Sequence, residues 1–300
     1  MKLALAAALL LLLTTCSPST VMPSQSPTTL PTPSLAPSMT PMAFSIFDMH
    51  LHYSREAWNA YPPDKMAEMM NENGIRGALV SSAPDEGSFR LKAILGDRIV
   101  PTLGPYRNGT DPTSWTRDGS IVAHYESAYR KGVHRGFGEI HLRPGEASLP
   151  VVRSALAFAA REKLFLHVDA RPPALEEVLE AAPGATVLWA HAGVDATAAQ
   201  VDELLAKWPR LWVELSFRDF ELSFHGEINP LWGPVLMKYP DRFMVGTDTW
   251  LIGTGGVNDR LDSYSQVVSD IRVWLKLLPP DLGEALAHRN AEGFFAKLAR

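Results

Sequence analysis

Two histidines separated by a single residue, in Asp48-Met49-His50-Leu51-His52, follow the apolar run Phe44 to Phe47. In a β-strand, residues two apart point the same way, which puts Asp48, His50 and His52 on one face. Neutral imidazole is the commonest protein ligand for zinc and related ions, so two rings side by side at a strand end can hold a divalent metal. Two of nine histidines falling together by chance would look the same. The rest of the chain must supply the other ligands and the elements that bring them together.

Short β-rich runs alternate with longer helical stretches. The strand candidates are Phe44–Asp48, Gly77–Ser81, Ile99–Leu103, Gly136–Ile140, Leu164–Val168, Thr186–Ala190, Leu211–Leu215 and Phe243–Gly246. Helix candidates between them are Asp64–Asn73, Gly87–Leu95, Ile121–Lys131, Leu149–Lys163, Ala174–Ala182, Ala196–Trp208 and Leu231–Tyr239, with Ser263–Leu278 and Asp281–Leu298 after the last strand. Pro62-Pro63-Asp64 suits a helix start, Asn73-Gly74 a stop, and Asp195 an N-cap. Most strand runs are apolar on both faces, as parallel strands covered on each side require. Eight β-α units in residues 43–300 predict a single-domain α/β fold, the (β/α)8 TIM barrel. A doubly wound open sheet would often carry a Gly-rich first turn, and this one is His-rich.

Chemistry in such a barrel collects at the C-terminal strand ends. Strand one ends in His50 and His52, and strand four reads Gly136-Phe137-Gly138-Glu139-Ile140-His141. Strands five and six end in His167 and His191, and strand eight ends in Asp248. Five of the nine histidines therefore gather at one mouth with a glutamate and an aspartate.

The ordered set His-x-His, Glu, His, His, Asp resembles the amidohydrolase superfamily, in its amidohydrolase-related branch, which also includes zinc-dependent decarboxylases. Asn290-Ala291-Glu292-Gly293-Phe294-Phe295 matches an Asn-Ala pair near that family's end. The resemblance covers about residues 43 to 298. It implies His50, His52, His167 and Asp248 as ligands of one metal, most simply Zn2+. It implies His191 as a second-metal ligand or a catalytic group beside the metal. Glu139 stands where some members bridge two metals; His141 shares its face and is the alternative ligand. Lys131 and Lys163 fall outside strand four, so no lysine bridge is expected. One or two ions fit. By the same resemblance Asp248 would take a proton from the attacking water, and His191 or a metal would polarise the scissile carbonyl.

Arg143, Arg107 and Arg218 follow strands four, three and seven, and any of them could bind a substrate carboxylate or pair with surface acids. Trp250 and Trp115 are candidates to line a pocket, and Gly253–Gly256 is a flexible turn or a lid hinge. Asp48 is expected to be structural, since two ligands already crowd its strand. His124, His134, His225 and His288 are expected at the surface or in structural roles.

The first 42 residues stand apart. Met1-Lys2 and the Ala/Leu run Leu3 to Leu13 are too short to span a bilayer and suit a secretory signal over 1–16. Leu13-Thr14-Thr15-Cys16 resembles a bacterial lipoprotein signal in which Cys16 carries the lipid, although Thr15 replaces the usual small residue. Residues 17–42 are rich in Ser, Thr and Pro and read as a tether. An exported, envelope-tethered protein is expected, touching the membrane only through that anchor. The whole chain has 28 basic and 33 acidic residues and no Lys/Arg-rich run, so nucleic acid is not an expected partner. One cysteine excludes an intramolecular disulfide. The functions in competition are hydrolysis of an amide, ester or similar bond of a small molecule, zinc-dependent decarboxylation of a small carboxylic acid, and a tethered barrel that only binds.

Overall fold

The computed structural model describes residues 44–108, 111–250 and 263–298. Residues 1–43, on which the expected signal segment with Cys16 and the expected tether fall, and Gly253–Gly256 lie outside the described residues. The described residues form one compact unit. Eight parallel strands follow in sequence order around a barrel: β1 (Ile46–His52), β2 (Ile75–Ser81), β3 (Ile99–Leu103), β4 (Gly136–Leu142), β5 (Phe165–Ala170), β6 (Val187–Trp189), β7 (Leu211–Glu214) and an eighth barrel strand, Phe243–Met244. The seam between first and last strands closes through Met49 N–H to Val245 O at 2.9 Å, Asp248 N–H to His50 O at 2.6 Å and His52 N–H to Thr249 O at 3.0 Å.

Helices cover the outside because one face of each is apolar. Pro150–Glu162, for example, buries Val152, Ala155, Leu156, Phe158 and Ala159. Inside, the N-terminal end of the barrel is plugged by Phe47, Met49, Leu79, Phe165, Leu188, Trp212 and Met244. The last helix, Asn290–Leu298, seals that end with Ala291 and Phe294. Asn290 ties this helix down, donating from Nδ2 to Pro240 O and Phe243 O, both at 2.8 Å. With one end filled by side chains, the open end is the C-terminal one.

Several boundaries differ from the sequence expectation. β1 runs four residues past Asp48, so His50 and His52 lie within the strand rather than beyond it. Asp48 does not share their face: the pairing register with β2 shifts between Asp48 and Leu51. A bulge of this kind adds a residue and reverses the alternation beyond it. Met49 joins the inner plug, while Asp48 meets Thr247 and the hydroxyl of Tyr264, on the helix Tyr264–Leu275. Asp195 is not the N-cap of the helix Ala198–Lys207. Thr197 is, in a capping box with Gln200, and Asp195 pairs with Arg171 at 2.8 Å. Between β7 and Trp232–Lys238 the chain adds a helical turn, Asp219–Leu222, and a hairpin of Ser223–Phe224 with Glu227–Ile228, neither of which the sequence pattern indicated.

Candidate metal centre

His50 and His52 from β1, Glu139 from β4 and Asp248 after the eighth strand bring four donor atoms together, with all pairs within 4.8 Å. His50 Nε2 stands 3.1 Å from His52 Nε2, 3.2 Å from Glu139 Oε2 and 3.3 Å from Asp248 Oδ1. His52 Nε2 stands 3.3 Å from Glu139 Oε2 and 3.0 Å from Asp248 Oδ1. Four ligands bound tetrahedrally at zinc-ligand distances would be separated by roughly 3.3 Å. The donors therefore lie almost at the spacing that a tetrahedral ion imposes.

The imidazole tautomer agrees. Glu214 Oε2 lies 3.1 Å from His50 Nδ1, so a neutral ring donates there and turns the lone pair of Nε2 toward the cluster. Glu214 also accepts from the Ser216 backbone N–H, from the Ser216 hydroxyl at 2.8 Å and from His191 N–H at 3.3 Å. Ser216 Oγ, having given its proton to Glu214, accepts from His191 Nδ1 at 2.8 Å. One fully buried carboxylate at the end of β7 thus orients two of the rings. Glu214 and Ser216 escaped the sequence reading, although Glu214 is a charged residue closing an otherwise apolar strand, which is itself a signal.

His191 and Asp248 sit where the backbone turns left-handed, with φ of 57° and 47°. This region is uncommon for non-glycine residues and here aims both side chains inward. His191 Nε2 lies 3.4 Å from Glu139 Oε1 and 3.9 Å from Asp248 Oδ2. Glu139 therefore faces His50 and His52 with one oxygen and His191 with the other. Asp169, two residues beyond His167 on β5, joins Glu139 and His191 in a second donor group. His167 is buried against His50, ring centroids 4.5 Å apart, and neither of its nitrogens has a hydrogen-bond partner. It groups with His50 and Glu214 rather than with the tight set of four.

The electrostatics favour a cation. Burial alone would push His50 down, but the charges of Glu139 and Asp248 outweigh it and hold its pKa well above the usual imidazole value. His191 is likewise opposed by burial and raised to about 9 by its hydrogen bond to Glu139 and the charge of Asp248. Burial would raise the Asp248 carboxyl, yet His50 and the hydrogen bond from His52 hold it below its usual range. His167, buried and next to His50, is pushed well down and stays neutral. Carboxylates that hold protons on buried imidazoles would hold a divalent ion at the same place, and orphaned nitrogens on His167 fit a group with donors to spare. The donor set could bind a metal.

A cavity of about 430 Å³ opens above the donors, lined by His52, Ser82, Tyr106, His141, Asp169 and Trp250 among others. His141 is part of this wall and outside the tight donor set; its Nε2 stands 3.8 Å from Glu139 Oε2. The Tyr106 hydroxyl accepts from His141 N–H and contacts Nδ1, both at 2.9 Å, turning Nε2 toward Asp169 at 3.5 Å.

The arginines divide differently from expectation. Arg218 does not reach the cavity. It is fully buried, its guanidinium bound to the carbonyls of Val194 and Ala196 and to Glu221. Arg107 pairs with Asp111 and Asp118. Arg143 lines an adjoining cavity of about 420 Å³ that shares His141 and Asp169 with the first. Trp115 is core, its indole N–H donating to His141 O at 3.1 Å. His134 is structural, buried against Asp85 at 2.8 Å.

The architecture matches solved structures across 84% of this chain. An amidohydrolase from Burkholderia multivorans is 18% identical and aligns over 99% of its own length with a TM-score of 0.55. A 2-pyrone-4,6-dicarboxylic acid hydrolase candidate from Pseudomonas putida is 14% identical over 98% of its length, also at 0.55. A TatD-family hydrolase from Entamoeba histolytica is 11% identical over 98% of its length, at 0.53. No protein-family model and no curated protein matches the chain. The likeness is one of fold: a TIM-barrel-like barrel whose structural neighbours are amidohydrolase-type proteins.

Proposed function

We propose that this chain is a metal-dependent hydrolase of the amidohydrolase superfamily, acting on an amide, ester or similar bond of a small molecule. The single observation that carries this is that, at the open end of the barrel, the His50 and His52 nitrogens stand 3.0 to 3.3 Å from each other and from the carboxylates of Glu139 and Asp248. The hydrolase neighbours of the same fold support it. Zinc is the expected ion, given two imidazoles and two carboxylates with room for a substrate. Glu139 Oε1, His191 and Asp169 would hold a second ion if there is one.

When bound, the ion supplies a nucleophilic water at neutral pH and a positive charge for the scissile oxygen. Asp248 keeps Oδ2 directed toward His191 and away from the His50–His52 pair. That oxygen can take the proton from the attacking water and return it to the leaving group. His191, its ring fixed by Ser216, can stabilise charge on the scissile carbonyl through Nε2–H when no second ion occupies that nitrogen.

Metal analysis of the purified protein should give one or two equivalents. Chelation should abolish turnover, and Zn2+ or Mn2+ should restore it. Undiminished turnover in Asp248→Asn would sink the reading. Decarboxylation of a small carboxylic acid is the alternative, separable by CO2 release without incorporation of solvent oxygen. The resemblance to a branch that includes decarboxylases and an arginine at the mouth would favour it, but Arg218 and Arg107 are committed elsewhere. A barrel that only binds would carry no metal and gain no thermal stability from one. The first 42 residues support export and lipid attachment at Cys16; Cys16→Ala would then release the protein from the envelope.

A further inference from the structure

The segment that follows β6 stays left-handed for four residues in succession. φ is 57° at His191, 47° at Ala192, 72° at Gly193 and 63° at Val194. Glycine alone suits that region, and a Cβ at Gly193 would also stand 2.3 Å from the Trp189 ring. Val194 is the hardest of the four to hold. Its φ of 63° and ψ of −54°, with Asp195 N–H donating to Gly193 O at 2.7 Å, make it the centre of a γ-turn in the rare strained form. It is β-branched as well, which makes a positive φ costlier still. Its side chain is exposed and lines both cavities.

A backbone of this kind persists only where its surroundings impose it. The chain after β7 does so, every second residue from 214 to 218 gripping the turn. Glu214 accepts from His191 N–H, Ser216 Oγ accepts from His191 Nδ1, and Arg218 donates to the carbonyls of Val194 and Ala196. Arg218 is fully buried, and its one acidic partner, Glu221 at 2.7 Å, is half exposed. An apolar side chain would fill that place at less cost in desolvation. What it could not supply is a rigid fork of donors for two carbonyls. Resting on the hydrolase reading for the role of His191, we propose that Arg218 is a positioning residue for it. Its grip on Val194 and Ala196 keeps the left-handed turn wound. The turn in its place keeps His191 Nε2 at 3.4 Å from Glu139 Oε1 and Val194 against the cavity. Glu214 and Ser216 fix the ring, and Arg218 fixes the chain that carries it.

The test is a double-variant cycle of Arg218→Met and Val194→Gly, read by backbone hydrogen–deuterium exchange over residues 191–196 and by turnover of 4-nitrophenyl butyrate. Arg218→Met should speed exchange in that segment at least about tenfold, with exchange in β1 and in the last helix unchanged. Its kcat should fall about 10–100-fold, as a small misplacement of a catalytic group does. Glycine takes a positive φ without steric strain, so in Val194→Gly the turn depends less on the clamp. Adding Arg218→Met in that background should change exchange and kcat by only about threefold or less. An arginine that merely supported the core would show no such rescue. Equal losses in both backgrounds, or unchanged exchange or unchanged kcat in Arg218→Met, overturn the proposal. Should Arg218→Met fail to fold, Arg218→Lys, which keeps the charge without the fork, goes through the same cycle under the same criteria. If the unaltered protein turns over no ester but the exchange cycle keeps its pattern, the hydrolase reading fails and the positioning of His191 stands.

Discussion

A carboxylate that touches no substrate has the largest reach among single residues here. Glu214 orients His50 through Nδ1 and His191 through Ser216 and its backbone N–H. Glu214→Gln keeps the shape but makes the contact to His50 Nδ1 neutral, so metal affinity should fall about 10–100-fold in competition with a chelator. Asp248→Asn should retain the fold and lose about 100-fold or more in kcat, since the proposed proton acceptor is gone. His50, His52, Glu139, His167, His191 and Asp248 were legible because each lies on a strand or a few residues past one, and strands can be counted. Glu214 was not, because a position that contacts another side chain rather than the cavity leaves no motif. Arg218 misled for the converse reason: sequence places it just after β7 but cannot say that backbone carbonyls capture it.

At the scale of elements, the first strand and its neighbours set the geometry. Gly246 follows the eighth strand, and a Cβ there would stand 2.5 Å from Glu214 Oε1 and 2.7 Å from His50 Cβ. Gly246→Ala must push apart Glu214 and His50, the pair that sets the His50 ring. A cost of about 1–3 kcal/mol in unfolding free energy is expected from denaturant titration, with weakened metal binding. The bulge in β1 sends Asp48 to Thr247 and Tyr264, where burial, offset in part by hydrogen bonds from Thr247, raises its pKa to about 6. Unfolded, the group titrates near ~3.9. A carboxyl with a raised folded pKa stabilises the fold fully below the unfolded value, and that contribution is lost as pH rises through about 6. In metal-free protein, Asp48→Asn should flatten the fall in stability between roughly pH 4 and 6, by up to ~3 kcal/mol. The strand and helix order was readable from alternating apolar runs. The bulge was not, since a slip of one residue is a matter of pairing between strands and leaves Asp48-x-His-x-His looking regular.

For the whole molecule, the expected consequence is that metal and fold stabilise each other. An ion that binds the native barrel and not the unfolded chain adds about 2.7 kcal/mol at a hundredfold excess over its dissociation constant. Addition of Zn2+ should raise Tm in a concentration-dependent way, chelation should lower it, and the double variant His50→Asn/His52→Asn should abolish the response. The inner plug should matter separately: Phe294→Ala should cost about 3–5 kcal/mol with metal stoichiometry preserved in the protein that remains folded.

The seam between first and last strands gives the centre a place in time as well as in space. Asp248 N–H bonds to His50 O, and Asp48 receives Thr247 from 199 positions along the chain. Two of the four donors thus emerge early in synthesis and one near the end. A growing chain that has made seven strands owns the imidazoles but not the aspartate that completes their set. Tight metal capture would therefore report that the ring has shut, and would distinguish finished molecules from those still folding.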